Sequence, residues 1–526
     1  MTIGYVHFDR SGMRNERTEI LVSKEKLPKL VRNKYVRISN PGPDGVVFLG
    51  RIVEGPFFAP EEVSRDSALA QTAILKGESF PSVPEFYAVG GIEILGELRG
   101  ERVFGVNTRP APQAKVTELE AEDVKRLLSI SGDMLVGNLD GYPDVLVHLR
   151  SDDKKVLPRN VGIFGTVGSG KTNTAQVLIE ESCRSGYAVV IVDVEGEYVE
   201  MDQSSVELHD KLAEFQRQPR GLADFRVYYP IAGESERTDA TPFTLRCADL
   251  EPLVLSEVIE AEEAQERRLL VILDELGKRS QREKKDTPPP SLASVIAPET
   301  AREVPYTLQD VIAATAEKAH DAKGADQYSY FALLGKLGRL NRTKAFDVKG
   351  SEPIDAHDLL VPGRVSVFDV SYCPDYLKNL VIADLLRKIF DHKLGSADAP
   401  KTLLVIEEAH TFISREKRSK MQETIEMLRE ITRRGRKRWL GMCFVSQQPS
   451  HLPPEIFELC NTRVVHNVKS EANIGALKST AGDVSEEMWG NVPSLGAGQA
   501  VLSCPQLRDP VVINVRPSES KRKFVE

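Results

Sequence analysis

The stretch GTVGSGKT, at residues 165–172, contains residue types and a spacing that suit the binding of phosphate groups. It matches the pattern G-x-x-x-x-G-K-[S/T] without interruption, and it lies between the apolar run VGIF and a helix-forming segment. In such a loop the backbone N–H groups face the phosphates, Lys171 reaches the β- and γ-phosphates, and Thr172 holds Mg²⁺. The sequence therefore predicts a nucleotide-binding loop. Its residues are Gly165, Thr166, Val167, Gly168, Ser169, Gly170, Lys171, Thr172 and Asn173.

Hydrolysis of a bound nucleotide also needs carboxylates at the end of a strand, and two stretches offer them. LLVILDELG, residues 269–277, follows EAEEAQERR without a turn signal, so we predict that it is helical. TLLVIEEAH, residues 402–410, follows LGSADAPK, whose Gly and Pro suit the delivery of a strand. We therefore predict that Glu407 binds the metal, directly or through water, and that Glu408 polarises the attacking water as general base.

Further polar residues follow the other predicted elements. One arginine of RRGRKR, residues 433–438, could stabilise charge on a γ-phosphate in a neighbouring subunit, although a solvated basic turn fits the same residues. Gln447, at the end of an apolar strand, could contact the γ-phosphate or its water. His410 fits an ordinary position at a helix start as well as a phosphate-sensing role. Three acidic residues of VDVEGEY lie near the phosphates without an assignable role, namely Asp193, Glu195 and Glu197.

The elements that must position these residues change in character near residue 110. Residues 1–110 contain short runs rich in Val, Ile, Phe and Tyr, which predict a small antiparallel sheet or barrel, and RPAPQAKV at 109–116 is typical of a linker. From residue 160, apolar strands alternate with helical segments, which indicates a parallel α/β sheet covered on both faces. The predicted strands are residues 161–164, 187–193, 225–230, 364–371, 402–408, 441–447 and 463–468.

Two further segments complete the predicted organisation. Residues 243–345 are rich in Leu, Ala, Glu, Arg and Lys and predict a helical insertion, within which the charged, Pro-rich segment 281–305 is predicted to be a mobile loop. We place an N-terminal β-barrel at 1–112 and the α/β domain at 113–526, with a C-terminal extension at about 500–526. SLGAGQ, residues 494–499, is similar to the signature of ABC ATPases but follows the acidic strand, so we assign it no role.

Composition excludes several classes of protein. The 526 residues carry a net charge of −9, so any nucleic acid must bind to a local surface. The six cysteines show no metal-ligand spacing and suit reduced thiols. The N-terminus lacks the apolar core of a signal peptide, and no stretch approaches the ~18 apolar residues of a membrane span. We therefore expect a soluble, cytoplasmic protein.

With GTVGSGKT, VDVEGEY, TLLVIEEAH, RRGRKR and SQQPS in this order, the chain resembles the HerA family of the HerA/FtsK P-loop ATPases over most of its length. The resemblance implies a RecA-like motor domain and a homohexameric ring that translocates double-stranded DNA with ATP and Mg²⁺. It implies that Lys171 and Thr172 bind the nucleotide and Mg²⁺, that Glu408 is catalytic and that Gln447 is a sensor. Glu407 departs from the commoner Asp. The resemblance also assigns an arginine that acts in trans, which is Arg433, Arg434 or Arg436, and a basic position near the nucleotide, which is Arg159.

The resemblance further implies an effector that docks on the N-terminal barrel. In archaea such motors work with a NurA-like nuclease in DNA end processing, and bacterial relatives also pair with nuclease or NAD-consuming effectors in anti-phage defence. Two interpretations of the function stay open. One is an ATP-dependent double-stranded DNA translocase or helicase, and the other is an ATP-gated scaffold that assembles and activates an effector with little unwinding of its own. A membrane-bound conjugative coupling protein is disfavoured because the sequence shows no membrane span.

Overall fold

The chain forms two compact units. The computed structural model describes residues 1–8, 16–42, 45–60, 86–286, 306–396, 398–411 and 422–523. One unit comprises Met1–Arg150, Asp483–Asn491 and Gln499–Val515, and the other comprises Ser151–Gly482, Val492–Gly498 and Arg516–Glu526. The first unit contains the predicted β-barrel, and the second contains the predicted α/β sheet.

The barrel of the first unit is antiparallel. Its strands are β1 (Thr2–Val6), β2 (Arg17–Ser23), β3 (Tyr35–Ser39), β4 (Val47–Pro60), β5 (Phe86–Arg99), β6 (Arg102–Phe104) and β7 (Lys115–Glu118). Their order is β2-β1-β7-β3-β4-β5-β6, and an additional pairing of β2 with β5 closes the sheet. Alternate side chains such as Ile20, Ile38 and Ile92 are fully buried in an aliphatic core. The N-terminal barrel is thus confirmed, and its strand β7 follows residue 112, where the sequence places the end of this domain.

After the barrel, the first unit continues through helix α1 (Ala121–Leu127) into a hairpin of β8 (Met134–Leu139) and β9 (Tyr142–Leu149). The Tyr142 hydroxyl joins this hairpin to the barrel, because it accepts from Tyr35 N at 3.0 Å and donates to Tyr35 O at 3.2 Å. The segment after the predicted linker therefore packs with the barrel.

The second unit is built on eight parallel strands. They are β10 (Val161–Phe164), β11 (Ala188–Asp193), β12 (Phe225–Pro230), β13 (Thr241–Phe243), β14 (Val365–Asp369), β15 (Thr402–Ile406), β16 (Leu440–Ser446) and β17 (Thr462–Val465). Their order is β13-β12-β14-β11-β15-β16-β10-β17. All residues of β10, β11 and β14 to β17 are buried, as expected for strands covered on both faces. The seven predicted strands are confirmed, and the short β13 is an addition.

Helices of the second unit connect and cover these strands. They are α2 (Lys171–Arg184), α3 (His209–Glu214), α4 (Pro252–Val258), α5 (Glu263–Asp286), α6 (Leu308–Asp321), α7 (Ala325–Arg342), α8 (Ala356–Leu359), α9 (Asp375–Gly395), α10 (Gln422–Arg434), α11 (Pro454–Leu459) and α12 (Glu471–Lys478). Helices α4 to α7 confirm the predicted helical insertion. The predicted mobile loop begins too early, since α5 continues to Asp286 along helix-forming residues. The rest of that loop, 287–305, lies outside the described residues.

The last part of the chain contributes to both units. Helix α13 (Glu486–Asn491) and strands β18 (Gln499–Ser503) and β19 (Val511–Val515) belong to the first unit, where β19 pairs with β18 and with β8, both antiparallel. Arg516 and the residues after it belong to the second unit. Among the helices that the structure describes, none is long and apolar enough to cross a membrane.

Candidate nucleotide-binding site

A tight loop joins β10 to α2 at the carboxyl edge of the parallel sheet. Gly170 precedes α2 with a φ of 109°, a conformation that side chains rarely allow. A Cβ on Gly165 would lie 2.5 Å from Ser169 Oγ and 2.7 Å from His466 Cβ, so this position has no room for a side chain. Helix α2 begins at Lys171, and the first N–H groups of a helix have no intrahelical acceptor. The loop and the helix start therefore offer N–H donors to an anion such as a phosphate.

Two segments far along the chain hold this loop in place. Thr166 donates from its N–H and its hydroxyl to the Asn467 carbonyl oxygen, at 2.8 and 3.0 Å. Gly498 N–H donates to the Ser169 carbonyl oxygen at 3.0 Å. Sequence patterns indicate no role for these segments, because Gly498 of SLGAGQ and Asn467 support the loop through backbone groups.

Lys171 is buried beside the loop. Its Nζ donates to the Thr166 carbonyl oxygen at 3.1 Å. Burial lowers the pKa of Lys171, whereas the negative charges of Glu408 and Glu197 act in the opposite direction and leave a net lowering. A buried ammonium is stabilised by a nearby anion. The position is therefore suited to a phosphate group.

The acidic strand β15 ends at the same edge of the sheet. Strand β16 lies between β10 and β15, so Glu407 and Glu408 are one strand removed from the loop. Both side chains are buried. Glu408 has a φ of +41°, which costs a non-glycine residue of the order of 1–3 kcal/mol. Such strain clusters at functional sites, so it supports a functional position for Glu408.

Glu408 is held by two donors. Its Oε2 lies 3.0 Å from His410 Nδ1 and accepts from Gln447 N–H at 3.3 Å. Burial alone would raise the pKa of Glu408, but the hydrogen bonds from His410 and Gln447 and the charge of Lys171 lower it overall. The carboxylate is therefore ionised at neutral pH and can accept a proton from water. His410, whose role the sequence leaves open, thus contacts the Glu408 carboxylate.

Glu407 is paired with Asp193, the last residue of β11. Asp193 Oδ1 accepts from the N–H groups of Gly196 and Glu197 at 2.8 and 3.2 Å, and Oδ2 accepts from Tyr198 N–H at 2.8 Å. Burial raises the pKa of Asp193 to about 6, and these three donors act in the opposite direction. Burial and the negative charge of Asp193 raise the pKa of Glu407 well above its usual value, and a hydrogen bond joins the two carboxyl groups. Glu407 therefore carries the proton of this pair.

Two further residues of the predicted loop, Val167 and Asn173, have different environments. Val167 is 80% exposed at the tip of the loop. Both ends of the Asn173 side-chain amide are used by the backbone of the C-terminal residues, since Nδ2 donates to Arg516 O at 2.8 Å and Oδ1 accepts from Ser518 N–H at 2.9 Å. Only the backbone N–H of Asn173 is thus left to serve a nucleotide.

The four predicted arginines lie at the opposite edge of the sheet. Arg159 precedes β10, and Arg433, Arg434 and Arg436 precede β16, whereas the loop follows the carboxyl end of β10. Strand β16 has seven residues, so the two edges are about 20 Å apart at roughly 3.3 Å per residue. The arginines before β16 are therefore beyond the reach of phosphates bound by their own chain.

The three arginines before β16 are all exposed, but they differ in their contacts. Arg434 forms an ion pair with Glu430 on its own helix and lies over the Phe390 ring at 5.6 Å. Among the residues that the structure describes, Arg433 and Arg436 have no ion-pair partner. These two are therefore the better placed to bind a group on another molecule.

The competing acidic stretch is helical, as predicted. Asp274 and Glu275 lie in the interior of α5, where both side chains are more than half exposed. Asp274 pairs with Lys278 one turn later, and Glu275 pairs with Lys318 of α6. Surface ion pairs on helices explain both residues, and neither lies at a strand end.

The strand order and the loop define the class of protein. A phosphate-binding loop after β10, with β16 between β10 and the acidic strand β15, is the arrangement of a RecA-like P-loop ATPase. VirB4 of Thermoanaerobacter pseudethanolicus has a similar fold, with a TM-score of 0.51, 15% sequence identity, and coverage of 73% of this chain and 97% of that chain. The predicted fold class is confirmed.

Family comparisons narrow this class. The family described as "Helicase HerA, central domain" matches residues 134–389, and "Helicase HerA-like C-terminal" matches residues 376–516. The chain belongs to the HerA family and is an ATP-hydrolysing enzyme.

Two similar relatives carry the family name. The DNA double-strand break repair helicase HerA of Sulfolobus acidocaldarius is 22% identical over 538 residues, which cover 99% of this chain and 94% of the relative. A probable DNA double-strand break repair helicase HerA of Methanocaldococcus jannaschii is 22% identical over 475 residues, covering 81% and 85%. The match to the Sulfolobus acidocaldarius protein extends over nearly the whole of both chains.

Proposed function

We propose that this chain is an ATP-dependent translocase or helicase of double-stranded DNA that works as a homohexameric ring. The observation that carries the proposal is an ionised, strained Glu408 beside the phosphate-binding loop of a chain that belongs to a helicase family. Glu408 and the phosphate-binding loop lie at the same edge of the sheet, where one nucleotide can contact both.

The chemistry follows from the contacts of the chain's own residues. The loop N–H groups and Lys171 hold the phosphates of ATP and offset their charge. Glu408 accepts a proton from the water that attacks the γ-phosphate, and His410 keeps its carboxylate in position. We assign the sensing of the γ-phosphate to Gln447, whose backbone N–H donates to Glu408. Glu408 follows β15 and Gln447 follows β16, so hydrolysis changes the contacts made at the ends of both strands.

The residues at this site fit a Mg²⁺ ion that accompanies ATP. Mg²⁺ prefers oxygen ligands, and the site offers the Thr172 hydroxyl and the carboxyl groups of Glu407 and Asp193. The buried carboxyl pair shares a proton, and a cation can take the place of that proton. We assign Thr172 and Glu407 as the residues that hold the ion, which supplies charge neutralisation at the β- and γ-phosphates when bound.

The position of the arginines supports the proposed ring. They lie about 20 Å from the loop of their own chain by the length of β16, so they act on a nucleotide bound by a neighbour. Arg433 and Arg436 are the preferred candidates, because Arg434 is already paired with Glu430. Arg159 lies at the same edge of the sheet, and we also assign it to a nucleotide bound by a neighbouring chain. A homohexamer supplies every loop with such a neighbour.

The proposals for the DNA substrate and for the effector are based on similar proteins. Two similar proteins are described as DNA double-strand break repair helicases, which supports double-stranded DNA as the substrate and favours DNA end processing over anti-phage defence. A NurA-like nuclease or another effector would dock on the N-terminal barrel. Exposed aromatic side chains on its strands, Tyr5 and Phe57, are suited to such an interface.

Steady-state ATP hydrolysis by the purified chain tests this proposal. Turnover is measured without DNA, with linear duplexes of increasing length and with single strands, beside the Lys171→Ala variant. Lys318→Ala is a matched control, because Lys318 pairs with Glu275 on the helical insertion. Displacement of a third strand from a triplex measures translocation directly.

We expect ATP turnover to rise with duplex length and the protein to displace the third strand. Lys171→Ala should abolish both activities, whereas Lys318→Ala should leave them unchanged. Hydrolysis that depends on Lys171 but ignores duplex length would contradict the motor and favour an ATP-gated scaffold. Undiminished hydrolysis by Lys171→Ala would refute the nucleotide site itself.

A further inference from the structure

The C-terminal segment Arg516–Lys523 follows β19 and packs on helix α2. The Arg516 guanidinium is fully buried and pairs with Glu180 and Glu181 of α2, each at 2.9 Å. Ser520 donates from its N–H and its hydroxyl to Glu180 Oε1 at 2.8 and 2.6 Å. Because buried carboxylates are costly to leave without partners, these contacts fix the segment to the helix that follows the phosphate-binding loop.

The same segment contacts the first two turns of α2. Asn173, the residue after Thr172, binds the backbone of residues 516 and 518 through its side-chain amide. One turn later, Gln176 Nε2 donates to the Lys521 carbonyl oxygen at 3.3 Å. The backbone therefore arrives at Arg522 close to the start of α2.

Arg522 meets the acidic turn that follows β11. Its guanidinium forms an ion pair with Glu197, and the N–H of Lys523 donates to the Glu197 carbonyl oxygen at 3.2 Å. Strand β11 pairs directly with β15, in a register that places Val192 opposite Ile406. Arg522 thus lies at the edge of the sheet where the acidic pair ends β15.

The charge of Arg522 acts on the phosphate-binding lysine. Burial is the main reason for the lowered pKa of Lys171, and the positive charge of Arg522 adds to it. Glu197 opposes this effect and also raises the pKa of Glu407. Arg522 is thus linked by its ion pair to Glu197, the carboxylate that acts on both Lys171 and Glu407, and Lys171 is the residue that reaches the β- and γ-phosphates.

We propose that Arg522 is a second cation of the nucleotide site, which donates to the γ-phosphate of ATP bound by the same chain while Glu197 holds it in place. A guanidinium has five N–H donors and can contact a carboxylate and a phosphate together. The proposal rests on the nucleotide site proposed above. It differs from the role of Arg433 and Arg436, which act on a neighbour.

Nucleotide affinity of the full chain tests this assignment. Dissociation constants for a non-hydrolysable ATP analogue and for ADP are measured by calorimetry for wild type, Arg522→Ala and Arg522→Lys, and melting temperatures show that each variant is folded. Lys523→Ala is the control, because Lys523 is an adjacent cation whose side chain pairs with Glu236. Lys171→Ala reports on the nucleotide site as a whole.

We expect Arg522→Ala to weaken the ATP analogue about ten-fold more than ADP, since loss of a hydrogen bond to a charged group removes an interaction that ADP does not make. Arg522→Lys restores part of the difference, and Lys523→Ala changes neither affinity. Equal weakening of both nucleotides, or no weakening, would overturn the role of Arg522. If Lys171→Ala also binds both nucleotides normally, the nucleotide site is misplaced, which is a separate failure.

Discussion

Replacement of Glu408 by Gln separates catalysis from folding at this site. The amide has nearly the same shape as the carboxylate, and its oxygen can still accept the Gln447 N–H that Glu408 Oε2 accepts at 3.3 Å. The hydrogen bond between His410 and a charged carboxylate is lost, which costs about 1.5–3 kcal/mol. A protein of ordinary stability, about 5–15 kcal/mol, tolerates this loss and stays folded.

The catalytic loss is expected to be larger. A positioned general base contributes about 10²- to 10⁴-fold to the rate, which corresponds to about 3–5 kcal/mol of activation free energy. The amide cannot accept the proton of the attacking water, so Glu408→Gln should lose this factor. Nucleotide binding should be retained, because Lys171 and the loop N–H groups are unchanged.

Single-turnover ATP hydrolysis with saturating enzyme measures this loss, and nucleotide affinity and melting temperature are measured on the same preparation. The expected variant is folded, binds ATP and hydrolyses it slowly. Hydrolysis within a few-fold of wild type would refute the assignment of Glu408 as the base. Loss of nucleotide binding together with hydrolysis would show a structural role instead.

Three further substitutions test the surroundings of the site. Asp274→Asn on the insertion helix should leave hydrolysis unchanged, and a collapse of turnover in a folded variant would show that the wrong acidic stretch was chosen. Replacing Arg433 and Arg436 by Ala should lower turnover by about 10³-fold or more. Mixing this variant with Lys171→Ala should restore activity, because each supplies what the other lacks, and a mixture as inactive as its parts would contradict action in trans. Because burial raises the pKa of Glu407, the stability of the nucleotide-free protein falls as pH rises above the unfolded value of about 4.3 towards the folded value. The melting temperature of Glu407→Gln should therefore fall less than that of wild type between pH 5 and pH 8. Equal falls in the two proteins would refute the raised pKa of Glu407.

Local sequence patterns were sufficient to predict the parallel strands and the phosphate-binding loop. VGIF and FRVYYP match β10 and β12 at both ends, because continuous apolar runs between turn residues suit buried strands. The turn residues before TLLVIEEAH likewise distinguish β15 from the stretch 269–277, which continues a run of helix-forming residues without a turn. These features depend on neighbours within about ten residues.

Contacts between segments that are distant in sequence could not be predicted from local patterns. The Asn467 and Gly498 backbones that support the loop carry no side-chain signal. Arg159 is six residues from Gly165 in sequence, yet strand β10 separates them to opposite edges of the sheet. The sequence also places the end of the barrel before β7, because no local pattern shows that β7 pairs with β1 and β3.

Action of the arginines on a neighbour's nucleotide, as proposed from the length of β16, would restrict how copies of the chain associate. A contact that joins the carboxyl edge of one sheet to the amino edge of the next uses two different surfaces, so the association is heterologous and head-to-tail. In a head-to-tail ring every loop meets the arginines of one neighbour, whereas an isolated pair of chains joined in this way completes only one of its two sites. Dilution that separates the copies should therefore silence hydrolysis before it unfolds the chain, and activity per chain should rise with protein concentration until rings are complete.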